Sequence, residues 1–154
     1  MNLLNKIAFV IFAFIVISAC QPRQPETAIA SFVQQNNINE VSEYLAKNGD
    51  ANARSRFKEP LLYLAAGRQG GVGVTRLLIQ AGADVNAMGS SGITILSTAA
   101  SWCNVEEIKL LIDAGADVNL AGKNKKTPLE SICQTPKKRR ELTIDILLRS
   151  GATR

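Results

Sequence analysis

Apolar residues return along this chain in short bursts of helical period, and the bursts end alike. In residues 104–119, NVEEIKLLIDAGADVN, the side chains of Val105, Ile108, Leu111 and Ile112 share one helical face. Glu106, Glu107, Lys109 and Asp113 lie mostly off that face. Gly115 follows the last turn, where a residue without a Cβ takes the left-handed conformation freely. Asp117 and Asn119 then cap and turn the chain, with Val118 between them pointing inward. One such helix cannot cover its own apolar face and needs neighbours.

The neighbours are further copies. VTRLLIQAGADVN (74–86) repeats the pattern nearly letter for letter, EVSEYLAKNGDAN (40–52) is a divergent copy, and IDILLRSGA (144–152) is a truncated one. Gly49, Gly82 and Gly115 are spaced 33 residues apart, and Gly151 follows 36 later. A step near 33 is the length of one ankyrin repeat, and the chain resembles ankyrin-repeat proteins over residues 26–154. The resemblance implies an all-α solenoid of about four helix-turn-helix repeats with short projecting turns. The repeats are expected at about 26–52, 53–85, 86–118 and 119–154.

Within that frame the repeats differ. The first helix of repeat one, near 26–35, directs Ile29, Phe32 and Val33 inward, and its second helix directs Val41, Tyr44 and Leu45. Polar residues 34–37 suit a terminal repeat facing water. In repeat two, PLLYLAA (60–66) stands where the family has T-P-L-H-x-A-A, and the glycines in 67–73 predict a loose link and a shortened second helix. Repeat three keeps Gly92, Thr94 and the small run Thr98-Ala99-Ala100, with Ile95 in place of proline and Ser97 in place of histidine. Repeat four keeps Thr127-Pro128-Leu129, carries Glu130 at the histidine position, and has extra residues in the link at 134–141. Tyr63, Ser97 and Glu130 are expected to replace the family's histidine hydrogen-bond network only in part.

The N-terminus reads differently. Lys6 precedes an apolar run at 7–17, shorter than the ~20 residues that span a bilayer. Ile17-Ser18-Ala19-Cys20 resembles the bacterial lipobox, which implies lipid attachment at Cys20, removal of 1–19 as a signal peptide and a tether at 20–25. An ordinary secretory leader or a short uncleaved anchor with an incidental cysteine is the alternative. Gln21 stands where lipoproteins kept at the inner membrane carry aspartate, so the resemblance implies an outer-membrane anchor facing the periplasm.

Composition narrows the chemistry. The net charge of +5 includes Lys6, which leaves a mild basic excess rather than a nucleic-acid signature. The chain has no histidine, and it shows no Gly-rich phosphate loop, CxxC pair or clustered carboxylates. Asp84 and Asp117 are phased with the repeat and read as turn-formers. The expectation is therefore no enzyme, no cofactor and no metal. Cys103 and Cys133 would lie in an oxidising compartment, where a pair tends to close. Neighbouring repeat helices stack at roughly 9–10 Å, too far for a bridge without a local backbone shift. Two separate buried thiols are the expected state, and a disulfide is the alternative.

The resemblance places binding on the turn tips and on the exposed edge of each first helix. Those positions hold Arg54, Arg56, Phe57, Arg68, Met88, Ser90, Ser91, Ile93, Ser101, Trp102, Lys123, Asn124 and Lys126. Trp102 is the sole tryptophan, readable either as an exposed hot spot or as packing over the next repeat. Such a basic surface with an apolar patch suits an acidic segment of another protein. The run Lys137-Lys138-Arg139-Arg140 falls in the link between helices, away from the turn tips. It reads as a solvated loop or as a contact for anionic lipid head groups. Together these features lead us to expect a membrane-anchored periplasmic protein-binding module, for example an inhibitor or immunity protein against a toxin or lipase. The alternative is a scaffold for an envelope enzyme or oxidative-stress factor.

Overall fold

Helix pairs stack side by side along the chain. The computed structural model describes residues 25–67, 71–134 and 136–153. The expected signal peptide, Cys20, most of the tether, Arg68 and part of the 67–73 link lie outside the described residues. Repeat one supplies α1 (Pro25–Gln34) and α2 (Ile38–Ala46), and repeat two supplies α3 (Leu61–Ala65) and α4 (Val72–Gln80). Repeat three supplies α5 (Ile95–Ser101) and α6 (Val105–Asp113). Repeat four has a single 3-10 turn, Leu129–Ser131, before α7 (Lys137–Arg149). Among the described residues there is no strand, only two isolated bridges, Arg54 with Pro60 and Met88 with Thr94, which close the bases of the projecting turns.

The core runs between the two helix layers. Leu61, Leu62, Ala65 and Ala66 of α3 and Ile95, Leu96, Ala99 and Ala100 of α5 are buried, and the small alanines let consecutive first helices approach. Val74, Leu78, Ile108, Leu111 and Leu147 fill the second layer. Ile29, Val33 and Val41 are buried in repeat one as the pattern predicts, with Phe32, Tyr44 and Leu45 packed against them.

The turns after the second helices bind one repeat to the next. Gly82, Gly115 and Gly151 have φ of 86°, 91° and 95°, but in repeat one Asn48 takes that conformation, with φ of 62°. Gly49 is thus the counterpart of Ala83 rather than of Gly82, and the first step of the solenoid is one residue longer than the glycine spacing suggests. Asn52 Nδ2 donates to the Gly82 carbonyl at 3.0 Å, while its Oδ1 accepts from Asp84 N at 2.8 Å. Asn86 does the same toward Gly115 and Asp117, and Asn119 toward Gly151 and Thr153. In each case the preceding aspartate accepts from the asparagine's own N–H at 2.8–2.9 Å and holds it in place. The Asp-x-Asn motif therefore cross-links repeats as well as turning the chain.

Four local expectations need correction. The second helix of repeat two is not shortened: α4 has the same nine residues as α6, and α3 is cut to five instead. Basic residues 137–140 are the first turn of α7, not a loop. Ser97 and Glu130 make caps within their own repeats, Ser97 with Thr94 and Glu130 with Thr127. One connection between neighbouring turns is made instead by the Glu59 carboxylate, which accepts from Ser90 N at 2.8 Å and from the Ser90 hydroxyl.

The fourth correction concerns Glu107. It is wholly buried, not on the solvent side, because α4 and α7 flank α6 on both sides and cover more than its leucine stripe. One carboxylate oxygen accepts from Thr75 Oγ1 of α4. The other, like the buried Thr143 hydroxyl of α7, has no hydrogen-bond partner among the described residues. Burial pushes the Glu107 carboxyl up to about 7, and the Thr75 hydrogen bond offsets this only partly.

Candidate protein-binding face

Each projecting turn is a tight loop closed at its base. Ser55 N donates to Glu59 O at 2.8 Å, Gly89 N to Ile93 O at 3.0 Å, and Gly122 N to Lys126 O at 3.0 Å. The loops are also tied to one another, since Lys123 N donates to Gly92 O at 2.8 Å. Arg54 belongs to this framework: Nη1 donates to Lys58 O at 2.8 Å and to Met88 O in the next loop at 3.3 Å. Ser90 is held by Glu59, and Asn124 Oδ1 accepts from Lys126 N at 3.0 Å. Three of the predicted contact residues thus build the face. Their side chains hold the loops rigid, which lowers the entropy lost on docking.

The exposed chemistry concentrates at the repeat-two loop. Phe57 is 65 % exposed, and the Arg56 guanidinium lies 4.6 Å from its ring centroid, an arrangement worth ~0.5–1 kcal/mol at an exposed site. Beside this pair is an open hollow of about 240 Å³ lined by Ala30, Ser31, Gln34, Ser55, Arg56, Phe57 and Leu64. Repeat one contributes the far wall from α1, and no pattern in the sequence marks that contribution. The available hint is that Ser31 and Gln34 are polar residues interspersed with the inward Ile29, Phe32 and Val33.

Of the remaining predicted residues, Ser91, Lys123 and Lys126 are exposed on the later loops, while Met88 and Ile93 are half-buried at the base of the second. Lys58 and Lys125 add two exposed cations that the sequence reading omitted, each in the left-handed conformation at a loop tip. Ser101 and Trp102 are set apart. Ser101 Oγ donates to Thr98 O at 2.7 Å, and Trp102 caps the C-terminus of α5, so the seven-residue helix separates them from the loop by ~10 Å. Trp102 is 48 % exposed and is not sealed into the stack.

Beside Trp102 lies the feature least expected. Cys103 and Cys133 form a disulfide with Cα atoms 5.6 Å apart. Repeat helices at ordinary stacking distance would not permit it, but the first element of repeat four is only one 3-10 turn. Ile132 then turns extended, with φ −61° and ψ 142°, and Cys133 N donates to Ala100 O at 3.1 Å. Cys103 meets it from a left-handed backbone, φ 48°. Among the described residues no group of three or more cysteine, aspartate or glutamate side chains is placed to hold a metal.

Rigidly linked helix pairs with loops projecting from one edge define a repeat scaffold for binding other macromolecules. Residues 62–153, about three-fifths of the chain, match the family described as ankyrin repeats (3 copies), and the chain belongs to that family. Ankyrin repeats are in general protein-interaction modules. Repeat one falls outside the matched residues, although α1 and α2 pack onto the stack as a further pair. Comparison with curated proteins finds no match.

Proposed function

We propose that this chain captures an acidic segment of another protein on its loop-bearing face, with an apolar side chain of that segment seated in the hollow beside Arg56 and Phe57. The observation that carries this reading is the hollow itself. It combines a large exposed aromatic, a stacked guanidinium and two small polar side chains of α1 on a face stiffened by inter-loop hydrogen bonds. The other loop cations, Lys58, Lys123, Lys125 and Lys126, extend the positive surface past that point. Arginine and aromatic residues are the types enriched at interface centres.

The setting in this proposal is the bacterial periplasm, with the chain held at the outer membrane by lipid on Cys20. The Cys103–Cys133 disulfide supports export, because such bridges persist in oxidising compartments. A small, permanently anchored binding surface suits an inhibitor or immunity protein that caps a toxin or lipase entering the envelope.

The test is affinity capture from envelope extracts with wild type, Phe57→Ala and Arg56→Glu. A specific partner retained by wild type and weakened at least about tenfold by either variant is expected, as for a hot-spot side chain. Equal recovery by all three removes the hollow as the binding centre. Membrane retention that survives Cys20→Ser unchanged would remove the lipid anchor.

A further inference from the structure

The loop-bearing face leaves one cationic surface unused. Lys137, Lys138, Arg139 and Arg140 form the first turn of α7 and are all exposed. Four consecutive residues on a helix point around most of its circumference. Among the described residues the carboxylate paired with this turn is Glu141, 3.8 Å from Lys137 Nζ, with both side chains well exposed. Leu142, 45 % exposed, follows one turn after Lys138.

The disulfide brings an aromatic residue to the same end of the stack. Trp102 is adjacent to Cys103, Cys103 is bridged to Cys133, and Lys137 follows Cys133 by four residues. The end opposite the projecting loops therefore carries a half-exposed tryptophan, an exposed leucine and four cations. Tryptophan with its amphipathic ring, and lysine and arginine with long apolar stems and charged heads, are the side chains that settle at the boundary between head groups and acyl chains.

We infer that this edge rests on an anionic membrane surface, with the cations on lipid phosphates and Trp102 and Leu142 at the head-group boundary. The charge is complementary to acidic phospholipid. The apolar side chains are few and lie at the same end of the stack as the cations, which suits shallow contact with a bilayer better than a groove for a peptide. Such seating directs the projecting loops away from the membrane, toward a soluble partner. The inference rests on residues 102 and 137–142, independently of Cys20 and of the hollow at Phe57.

Trp102 is the chain's one tryptophan and so is its own reporter. The full chain is reconstituted in vesicles of phosphatidylcholine alone or of phosphatidylcholine with phosphatidylglycerol, and Trp102 emission and its quenching by spin-labelled lipid are read. A blue shift and quenching confined to the anionic vesicles, and reversed by high salt, are expected. Replacing residues 137–140 together with glutamate should reduce the quenching to the neutral-vesicle level. Acidic residues are favoured in a helix's first turn, so that variant keeps α7, which circular dichroism checks. Equal emission in both vesicle types overturns the inference, as does quenching that survives the charge reversal. A shift produced by soluble polyglutamate, with anionic vesicles inert, also overturns it and makes this edge a second protein-binding surface.

Discussion

Repeats three and four share a template and are held in the stack by different forces. Repeat three has a seven-residue first helix whose buried face is complete, and its second helix opens on Asn104, whose side chain accepts from Glu107 N at 3.4 Å. Glu106 sits exposed in the first turn of that helix, where negative charge is favoured. Repeat four reduces its first helix to one 3-10 turn and opens α7 on Pro136, without a side-chain cap and with four cations in the unfavourable position. What repeat four lacks in local stabilisation is supplied by the bridge to Cys103 and by the packing of α7, with its buried Leu147, on α6. A repeat in a solenoid can thus abandon helical sequence rules where a covalent or packing contact to its neighbour replaces them.

Breaking the bridge should expose this difference most. Cys103→Ser with Cys133→Ser, or reduction of the wild type, opens a cross-link between residues 30 apart, worth about 3–4 kcal/mol by the chain-entropy account. Calorimetry should show a Tm lower by roughly 10 °C or more. Hydrogen exchange should show α7 losing protection before α6. Uniform loss along the stack would mean that repeat four holds itself.

The next effect concerns the acid buried in repeat three, Glu107, which accepts from Thr75 of repeat two. The Glu107 carboxyl lies at about 7 when folded against an ordinary 4.5, so the folded state holds the extra proton between those values. Stability should therefore be greatest below about pH 4.5 as far as this group decides it, and fall as pH rises toward 7 and slightly beyond. The loss is at most about 3 kcal/mol. Glu107→Gln should remove that slope and be more stable than wild type at pH 8, in urea titrations across the range. An unchanged slope would move the titration to another group.

The smallest effects test the helix starts. Asn104→Ala should cost about 1 kcal/mol through the lost cap. Arg139→Glu with Arg140→Glu should gain about 0.5–1 kcal/mol at low salt and less at high salt. Opposite signs in thermal denaturation would confirm that repeat three is locally optimised and repeat four is not.

Much of this was legible in the sequence. The stripe Val105, Ile108, Leu111, the left-handed exits at Gly82, Gly115 and Gly151 and the repeat step follow from local rules that each unit obeys alone. The candidate binding face was legible only as a set of positions. That Arg54 and Ser90 are structural ties and that α1 walls the hollow with Ser31 and Gln34 depend on side chains meeting across a distance of a whole repeat.

Residue periodicity and turn chemistry by themselves determined that this chain repeats a helix and a left-handed exit, because both record the preferences of one helix and its end. Only the tertiary structure decided that Glu107 lies inside, that Asn52, Asn86 and Asn119 link repeats, and that Cys103 reaches Cys133. An apolar stripe shows which face of a helix turns inward. What covers its flanks, and how close two thiols come, depends on where the neighbouring backbone stops being helical.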